Sequence, residues 1–379
     1  MNFNIQGYYG HKNTGDDALV ASLVWGLDTL CPDAKYYVSS STVLKLPVRR
    51  ENISYLPPAQ LFRGHQRISK LLQTVRSEWT IYGGGSLIND SSGLSFLKNL
   101  LQTVRLQKLL GHKVGMIALG VGPLHSEEAK RIASMLISSL DLLTVRDQNS
   151  ADICIQLGLP SPAIVGDLAF ILPNMKTPDV TARFTPSKSR KTLGISVCNY
   201  SQYVGRGAEP DLIRVTKVVA ALRKIAQNFE CDLAIFEFNG SQAVGDSEVV
   251  ELLDKELSEY TNIIRLPYTD NPVVVLEDIA QCDAVLAMRL HSAIFSFIAK
   301  KPMVMIDYHQ KCRGFAHQIG LPPDLIVDSE SFEIDTLSRS ILKALQTPDL
   351  CIPGLDPDSA LHEANKSLEL LADLLRKQA

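Results

Sequence analysis

Short apolar runs alternate with amphipathic helical segments along the whole chain. We interpret the apolar runs as strands in two series, at residues 3–6, 34–39, 79–82, 114–119, 142–145 and 163–165, then at 192–197, 233–238, 262–266, 284–288 and 303–307. The segments between them have apolar residues at helical spacing, at residues 17–30, 95–110, 127–140, 212–228, 247–260, 272–281 and 292–300. Strands that alternate with helices of this length predict parallel sheets covered by helices on both faces.

The two series are separated by a proline-rich, basic stretch. Residues 173–191 contain three prolines, five basic residues and one acidic residue, which is typical of an interdomain linker. We therefore predict an N-terminal Rossmann-like domain over 1–175, a linker over 176–191, a C-terminal Rossmann-like domain over 192–355 and a C-terminal helix over 356–379. The predicted fold class is α/β, with two Rossmann-like βα domains facing a cleft, similar to the glycosyltransferase type B fold.

Composition narrows the function classes. The chain has 379 residues, 45% of them hydrophobic and 21% charged, with a net charge of −3, so a globular two-domain protein is expected and a nucleic-acid binder is not. Its seven cysteines form no CxxC pair or Cys/His cluster, which predicts a reducing compartment and no metal site. The first ten residues lack the basic and apolar regions of a signal peptide. The apolar stretch at 282–299 is interrupted by Asp283, Arg289 and His291, so it is expected to be a buried core segment and not a membrane span. We expect a cytoplasmic protein.

Glycine-rich loops follow two strands of the first series. Gly7, Gly10 and Asn13 lie in the loop after the first strand, where the glycines permit close approach of a ligand and Asp16 or Asp17 would cap the next helix. The alternative interpretation is a tight turn with a capping aspartate. The loop after residues 79–82 begins with three consecutive glycines, whose backbone N–H groups can hold an anion or a sugar hydroxyl: Gly83, Gly84 and Gly85.

The loops after three further strands contain candidate site residues. Arg146 follows the strand at 142–145 and either pairs with Asp147 or points into the cleft. Arg289, His291 and Ser292 follow the strand at 284–288 and bring a guanidinium, an imidazole and a helix N-terminus into four residues, a combination that favours phosphate. Lys311 and Arg313 follow the next strand and, in a parallel sheet, reach the same edge. The alternative for His291 is a hydrogen-bonded structural histidine.

A basic amphipathic helix is predicted over residues 61–75. Its apolar residues are Leu61, Phe62, Ile68, Leu71, Leu72 and Val75, with Arg63, Arg67 and Lys70 between them. Such a helix can dock on anionic lipid, which leads us to expect a peripheral contact with the inner face of the cell membrane. The alternative is a surface helix whose apolar stripe faces the core.

These motifs, taken together and in order, resemble one known family. They are IQGYYGHKNTGDDAL at 5–19, GGGSLINDSSG at 83–93, LGVGPL at 119–124, VRDQNSA at 145–151, GDLAF at 166–170 and AMRLHSAIFSFIAKKPMVMIDYHQK at 287–311. The chain resembles the polysaccharide pyruvyl transferases, most closely the CsaB-like branch that pyruvylates bacterial cell-wall polymers. Two positions depart from the usual family pattern, His309-Gln310 before Lys311 and Cys198-Asn199 after the first strand of the second series.

The resemblance implies that phosphoenolpyruvate is the donor and that the product is a pyruvate ketal on a saccharide. The expected acceptor is a lipid-linked precursor of a cell-wall polymer or an exopolysaccharide. It also implies that Arg146, His291 and Lys311 match active-site positions and that Arg289 lies in the donor motif. The chemistry agrees: Arg289, Lys311 and the helix start at Ser292 can hold the phosphate, and Arg146 or Arg313 the carboxylate.

Ketal formation also needs an acid and a base. His291 is the expected acid/base, and Asp16 or Asp17 is a second candidate for the base. No cofactor and no metal are expected. Two alternatives stay open: a nucleotide-sugar glycosyltransferase of the same fold, and a non-catalytic saccharide-binding protein.

Overall fold

The computed structural model describes residues 1–57, 65–91 and 93–376. The chain divides into two compact units. Unit 1 comprises Met1–His11, Asp16–Met175 and the chain from Asp358 onward, whereas unit 2 comprises Lys12–Gly15 and Lys176–Pro357. The segment predicted as a linker, 176–191, therefore groups with unit 2, and the C-terminal helix groups with unit 1.

Unit 1 is built on a seven-stranded parallel sheet in the order β3-β2-β1-β4-β5-β6-β7. The strands are β1 (Asn2–Gln6), β2 (Lys35–Val38), β3 (Ile53–Tyr55), β4 (Trp79–Gly83), β5 (Lys113–Leu119), β6 (Leu142–Val145) and β7 (Ala163–Ile164). Its helices are α1 (Thr14–Leu30), α2 (His65–Val75), α3 (Leu94–Leu109), α4 (Glu127–Ser138), α5 (Gln148–Gln156) and α13 (Pro357–Arg376), of which the first residues of α1 and α13 group with unit 2. The chain builds the sheet outward from β1 in one direction and then resumes beside β1 with β4. The carboxyl ends of β1 and β4 thus form the switch point, where ligands bind in sheets of this kind.

Unit 2 repeats this plan with six parallel strands in the order β10-β9-β8-β11-β12-β13. The strands are β8 (Lys191–Ser196), β9 (Cys231–Phe236), β10 (Ile263–Leu266), β11 (Ala284–Ala287), β12 (Met303–Asp307) and β13 (Ile326–Asp328). The helices are α6 (Tyr200–Tyr203), α7 (Glu209–Asn228), α8 (Ser247–Leu257), α9 (Pro272–Ala280), α10 (Leu290–Ile298), α11 (Gln310–Ile319) and α12 (Ile334–Gln346). Its switch point lies between the carboxyl ends of β8 and β11.

The predicted fold class, two parallel-sheet α/β domains, is confirmed. Strands β4, β9, β11 and β12 are buried along their whole length, as expected where helices cover both faces of a sheet. The sequence pattern missed two three-residue edge strands, β3 in the unit 1 sheet and β13 in the unit 2 sheet. It also missed helices α5, α6, α11 and α12. The apolar stretch at 282–299 comprises β11 and α10, and no helix of the described residues is long and apolar enough to cross a membrane.

Candidate functional site

The loop after β1 and the loop after β4 meet at the switch point of unit 1. The Tyr9 hydroxyl donates a hydrogen bond to the Gly83 carbonyl oxygen at 2.7 Å. A Cβ atom at Gly7 would overlap the Tyr9 ring, and one at Gly10, where φ is +80°, would overlap the Ser40 hydroxyl. The sequence interpretation attributed these two glycines to the approach of a ligand, but packing against Tyr9 in the same loop and against Ser40 after β2 already disfavours a side chain at either position.

The three consecutive glycines after β4 differ in their surroundings. A Cβ atom at Gly83 would lie 2.5 Å from Leu23, and one at Gly84 would lie 2.7 Å from Leu19, because α1 packs closely against this loop. A Cβ atom at Gly85, where φ is +76°, would have no atom within 4 Å. Gly85 is therefore the one of the three whose side-chain position is open to a ligand.

The two acidic residues of the first loop do not cap a helix as predicted. Helix α1 begins at Thr14, so that Asp16 and Asp17 lie in its first turn, where a carboxylate interacts favourably with the helix dipole. Asp17 is buried. Asp16 lies near Tyr9: burial raises the pKa of that phenol, its hydrogen bond to Gly83 lowers it and Asp16 raises it again.

Arg146 follows β6 and is buried among oxygen atoms of unit 1. Its guanidinium lies 3.3 Å from Asp147 and 3.5 Å from Asp167, and it donates to the Ser86 hydroxyl at 3.1 Å. Asp147 also caps α5 by accepting the Ser150 N–H at 2.8 Å. Of the two alternatives for Arg146, pairing with Asp147 is the arrangement present. The arginine thereby connects the glycine loop after β4 to the end of β6.

Part of the first loop belongs to unit 2, which corrects the expectation that all of it lies on the N-terminal side. Asn13 forms an antiparallel bridge with Asn239, and the neighbouring Thr14 N–H donates to the Phe238 carbonyl at 2.9 Å. The Gly240 N–H donates to the Lys12 carbonyl, also at 2.9 Å. Lys12–Gly15 therefore pair with the loop that follows β9.

Gly15 faces the imidazole of His291. A Cβ atom at Gly15 would overlap Nδ1 of His291, although Gly15 lies in a helix and has no positive φ. The ring of His291 also contacts Phe295 on the same helix, with 6.5 Å between ring centroids. The absence of a side chain at Gly15 thus creates the space that the His291 ring occupies.

Arg289 ends the turn from β11 into α10 and forms an ion pair with Asp246, whose side chain is buried while that of Arg289 is 21% exposed. Asp246 also accepts the N–H of Asn239 at 2.9 Å. Burial lowers the pKa of Arg289, but the Asp246 carboxylate more than offsets this and keeps the guanidinium charged. Burial raises the pKa of Asp246, and Arg289 is the main group that lowers it. The ion pair therefore connects Arg289 to the loop after β9, which in turn pairs with Lys12–Gly15.

Lys311 and Arg313 lie in the first turn of α11, at the edge predicted for them. The Lys311 ammonium lies 5.8 Å from the centre of the Tyr308 ring, and His309 caps the helix by accepting the Lys311 N–H at 3.2 Å. Arg313 is paired with Asp307 at 2.6 Å, and its side chain is 59% exposed. Of these two cations, Lys311 lies closer to the switch point.

The buried thiol of Cys198, after β8, marks where the cations of unit 2 converge. Burial raises the pKa of Cys198, while Arg289, Arg214 and Lys311 each lie near enough to lower it. The two arginines have carboxylate partners, Asp246 for Arg289 and Asp211 for Arg214. Arg289 and Lys311 thus both lie within electrostatic reach of this thiol, and the charge of Arg289 is already balanced by Asp246.

Helix α10 begins at Leu290, two residues before the start that the sequence analysis placed at Ser292. Ser292 is buried, and its hydroxyl donates to the Arg289 carbonyl oxygen at 2.6 Å. Sequence reasoning also missed Asp246 and Gly15. The only signal for Asp246 was an acidic residue just before a helical segment, and Gly15 was one glycine among several.

The geometry suits an anion at the carboxyl edge of the unit 2 sheet. Helices α10 and α11 both begin there, next to Arg289 and Lys311, and helix N-termini attract negative charge through their free N–H groups. Among the described residues, no group of three or more His, Cys, Asp or Glu side chains is placed to hold a metal ion. The cationic side chains and helix starts are thus the features of unit 2 that can bind a small polyanion.

Comparison with solved structures shows the fold. The UDP-GlcNAc 2-epimerase of Methanocaldococcus jannaschii has a TM-score of 0.64 at 10% identity, over 99% of this chain and all of that one. The lipopolysaccharide outer core galactosyltransferase WaaB has a TM-score of 0.51 at 11% identity, over the whole of both chains. Anabaena Alr3699/HepE, solved with UDP and glucose, has a TM-score of 0.54 at 12% identity, over all of this chain and 99% of that one. The architecture is that of the glycosyltransferase type B fold and the 2-epimerases.

Comparison of sequences shows the family. The amylovoran biosynthesis protein AmsJ of Erwinia amylovora is 26% identical over 258 residues, which is 63% of this chain and 59% of that protein. The match thus spans about three fifths of the length of this relative. The profile of the family described as polysaccharide pyruvyl transferase matches residues 13–310, which include Arg146, Arg289 and His291. The chain belongs to the polysaccharide pyruvyl transferase family.

Proposed function

We propose that this protein transfers the pyruvyl group of phosphoenolpyruvate to a saccharide, where it forms a cyclic ketal across two hydroxyl groups and releases phosphate. The observation that carries the proposal is the position of Arg289 and Lys311 at the helix starts that follow the neighbouring strands β11 and β12, within a chain that belongs to this family. Phosphoenolpyruvate has a phosphate and a carboxylate on one small molecule, and a site for it needs two or three cationic groups.

The donor is assigned to unit 2. Arg289 is held by Asp246 and can direct its remaining N–H groups at a phosphate, and Lys311 supplies a second positive charge. The N–H groups at the start of α10 add hydrogen bonds to the same oxygens. For the donor carboxylate the candidate within unit 2 is Arg313, whereas Arg146, the other candidate from the sequence, belongs to unit 1. Both have aspartate partners, so binding there would require a shared or exchanged ion pair.

The reaction requires one proton donor and one proton acceptor. Protonation of the methylene carbon makes C2 electrophilic, the first sugar hydroxyl adds to C2 and loses its proton, and phosphate then leaves. The second hydroxyl adds to the same carbon, loses its proton and closes the ring. His291 is the proposed acid/base, because an imidazole titrates near neutral pH, and Asp16 or Asp17 is a second candidate for the base.

The acceptor is assigned to unit 1 and to the class of lipid-linked or polymeric saccharides. Gly85 leaves open space at the carboxyl end of β4, beside the loop that carries Tyr9. Backbone groups of a glycine loop can approach sugar hydroxyls closely. We place the acceptor among precursors of cell-wall polymers or exopolysaccharides, as in the CsaB-like branch, because the motifs of the chain resemble that branch most closely.

The test combines ligand binding with product analysis. Phosphoenolpyruvate in large excess over its dissociation constant should stabilise the protein by ~2–4 kcal/mol in a thermal-shift experiment, and UDP- or GDP-sugars should not. Incubation of phosphoenolpyruvate with candidate glycans should release phosphate and add one pyruvate ketal to the glycan in a mass spectrum. Stabilisation by a nucleotide sugar alone would favour a glycosyltransferase instead. Saccharide binding with no phosphate release would favour a non-catalytic protein.

A further inference from the structure

Helix α2 is placed with its polar side inward and its apolar side outward. Thr74 accepts a hydrogen bond at 2.9 Å from Asn4 on β1, and both Gln73 and Thr74 are buried. On the opposite side the large apolar residues are between 44% and 57% exposed: Ile68, Leu71, Leu72 and Val75. The alternative from the sequence analysis, in which this stripe faces the core, is therefore wrong. Residues 61–64 of the predicted helix lie outside the described part of the chain.

The four exposed residues form one continuous stripe. Their positions are i, i+3, i+4 and i+7, which lie on one face of a helix. A surface helix normally turns such a stripe toward the core, and an exposed apolar patch of this kind marks a contact surface. The stripe on α2 thus needs an occupant from outside unit 1.

The charge around the stripe indicates which occupant fits. Arg67 on α2 and Arg76, the residue directly after α2, are both exposed. At 100° per residue their positions lie on either side of the stripe. The segment from His65 to residue 77 contains no aspartate or glutamate, although the whole chain has a net charge of −3. This surface therefore presents apolar side chains between cationic ones, which is complementary to a surface that is apolar inside and negatively charged at its boundary.

We propose that α2 docks on an anionic lipid surface. The apolar stripe would enter the boundary between headgroups and acyl chains, and the flanking arginines would contact the lipid phosphates. A second copy of this chain fits less well, because a two-fold interface places the same patch on both partners. It would bring Arg67 and Arg76 of one copy toward those of the other, and no acidic residue of α2 would offset their repulsion.

Lys70 lies on the other side of α2 from the stripe, because it is two residues away from both Ile68 and Leu72. The cationic residues next to the stripe are therefore Arg67 and Arg76. The proposal goes beyond the reaction proposed above and does not depend on it, since its evidence is the placement and charge of one helix.

Flotation of the full-length protein with lipid vesicles tests the proposal. The protein should float with phosphatidylcholine vesicles that contain about one third phosphatidylglycerol, and binding to pure phosphatidylcholine should be weak. Replacing both arginines (Arg67→Gln with Arg76→Gln) should lower partitioning onto the anionic vesicles by roughly 30-fold. Leu71→Gln with Leu72→Gln should lower partitioning on the same vesicles by at least about tenfold.

A matched control distinguishes docking by α2 from non-specific binding through any exposed apolar side chain. Leu109, at the end of α3, is 85% exposed, and Leu109→Gln should leave flotation unchanged. Thermal unfolding midpoints should stay near that of the unchanged protein, since all the altered side chains are exposed. Absence of wild-type flotation, equal binding to both vesicle types or equal loss in the Leu109 variant would overturn the proposal. So would a stripe variant that abolishes self-association in sedimentation without altering flotation.

Discussion

His291 lies at the second residue of α10, directly after the Arg289 turn. If it transfers the proton, His291→Gln should reduce turnover by ~10²–10⁴-fold. Phosphoenolpyruvate should still bind, because Arg289 and Lys311 remain. Phosphate release measures the first effect and calorimetric titration of phosphoenolpyruvate the second. Phosphate release near the wild-type rate would show that His291 is not the acid/base.

Gly15 provides a second, independent test of His291. Its position in α1 would ordinarily accept alanine, which favours a helix by up to about 1 kcal/mol over glycine. Here the added methyl group would overlap His291 Nδ1 and displace the ring. Because a displacement of about 1 Å can cost ~10²-fold in rate, we expect Gly15→Ala to lower kcat by about that factor and to change its pH profile.

Gly26→Ala is the matched control for Gly15→Ala. Gly26 also lies in α1, but its added methyl group would press on Leu368 of α13. We expect this control to lower the thermal midpoint while the pH profile of kcat stays the same. Equal changes of the pH profile in both variants would contradict a specific role of Gly15 in positioning His291.

Variants of Arg289 and Asp246 distinguish an effect on donor binding from an effect on stability. Arg289→Ala removes the proposed bidentate partner of the donor, so phosphoenolpyruvate affinity should fall by ~2–3 kcal/mol, and Arg289→Lys should restore little of it. The same change leaves Asp246 buried without its partner, which should cost ~3–5 kcal/mol of unfolding free energy. Combining Arg289→Ala with Asp246→Asn should recover much of the stability and none of the binding. Recovery of donor affinity in the double variant would show that Arg289 acts only on the fold.

The pH dependence of the unfolding free energy gives a further test of the Arg289–Asp246 pair. In Arg289→Ala the pKa of Asp246 loses the main group that lowers it, so burial raises that pKa further above the ordinary 3.8. A raised pKa in the folded state means that stability is complete below the ordinary pKa and is lost as pH rises toward the folded one. The stability gap between the single and the double variant should therefore widen from about pH 4 upward. Urea denaturation at several pH values measures it, and a gap that shrinks with rising pH would contradict the assignment.

At the scale of elements, the loop after β4 tests which unit holds the acceptor. The side chain added by Gly84→Val would clash with Leu19, so an effect on folding could not be distinguished from an effect on acceptor binding. The methyl group added by Gly85→Ala would lie in open space. We expect Gly85→Ala to raise the KM for the glycan by roughly 10–100-fold and to leave calorimetric binding of phosphoenolpyruvate unchanged.

Gly158 offers a matched control for the strain at Gly85. Both glycines have φ of +76° and no atom within 4 Å of an added Cβ, so alanine costs about 1–2 kcal/mol of backbone strain at either position. Gly158 follows α5, away from the carboxyl end of β4, and its alanine variant should leave the KM unchanged. If Gly85→Ala weakened donor binding as much as Arg289→Ala, the donor would not be confined to unit 2.

At the scale of the whole molecule, the last helix completes the first unit. Leu368 and Leu371 of α13 are buried in unit 1, where Leu368 covers Gly26 of α1. Leu371→Ala should lower the unfolding free energy by ~2–5 kcal/mol, and hydrogen exchange should accelerate in α1 and β1 and not in β11 or β12. Glu369→Ala, an exposed change on the same helix, is the control. Equal acceleration in both units would contradict the division of the chain.

Much of this architecture follows from the sequence by itself. Strands and helices are specified by local hydrophobic periodicity, and parallel connections place the residues after each strand at one edge of the sheet. The loops after β1, β4, β11 and β12 were therefore identified from their order along the chain. Elements such as β3 and β13 were missed because three residues are too few to show a period.

Only the tertiary structure decided how the individual side chains are used. Asp246 and Arg289 are 43 positions apart, and no local pattern shows that a buried carboxylate will meet this arginine. No local pattern shows that Gly15 on α1 lies next to the ring of His291 on α10, where a side chain at Gly15 would overlap that ring. Helix α2 has the periodicity of a core-facing helix, but its polar side bonds to β1 and its apolar side faces outward. Periodicity specifies which residues share a face, while the direction of that face depends on what the rest of the chain packs against it.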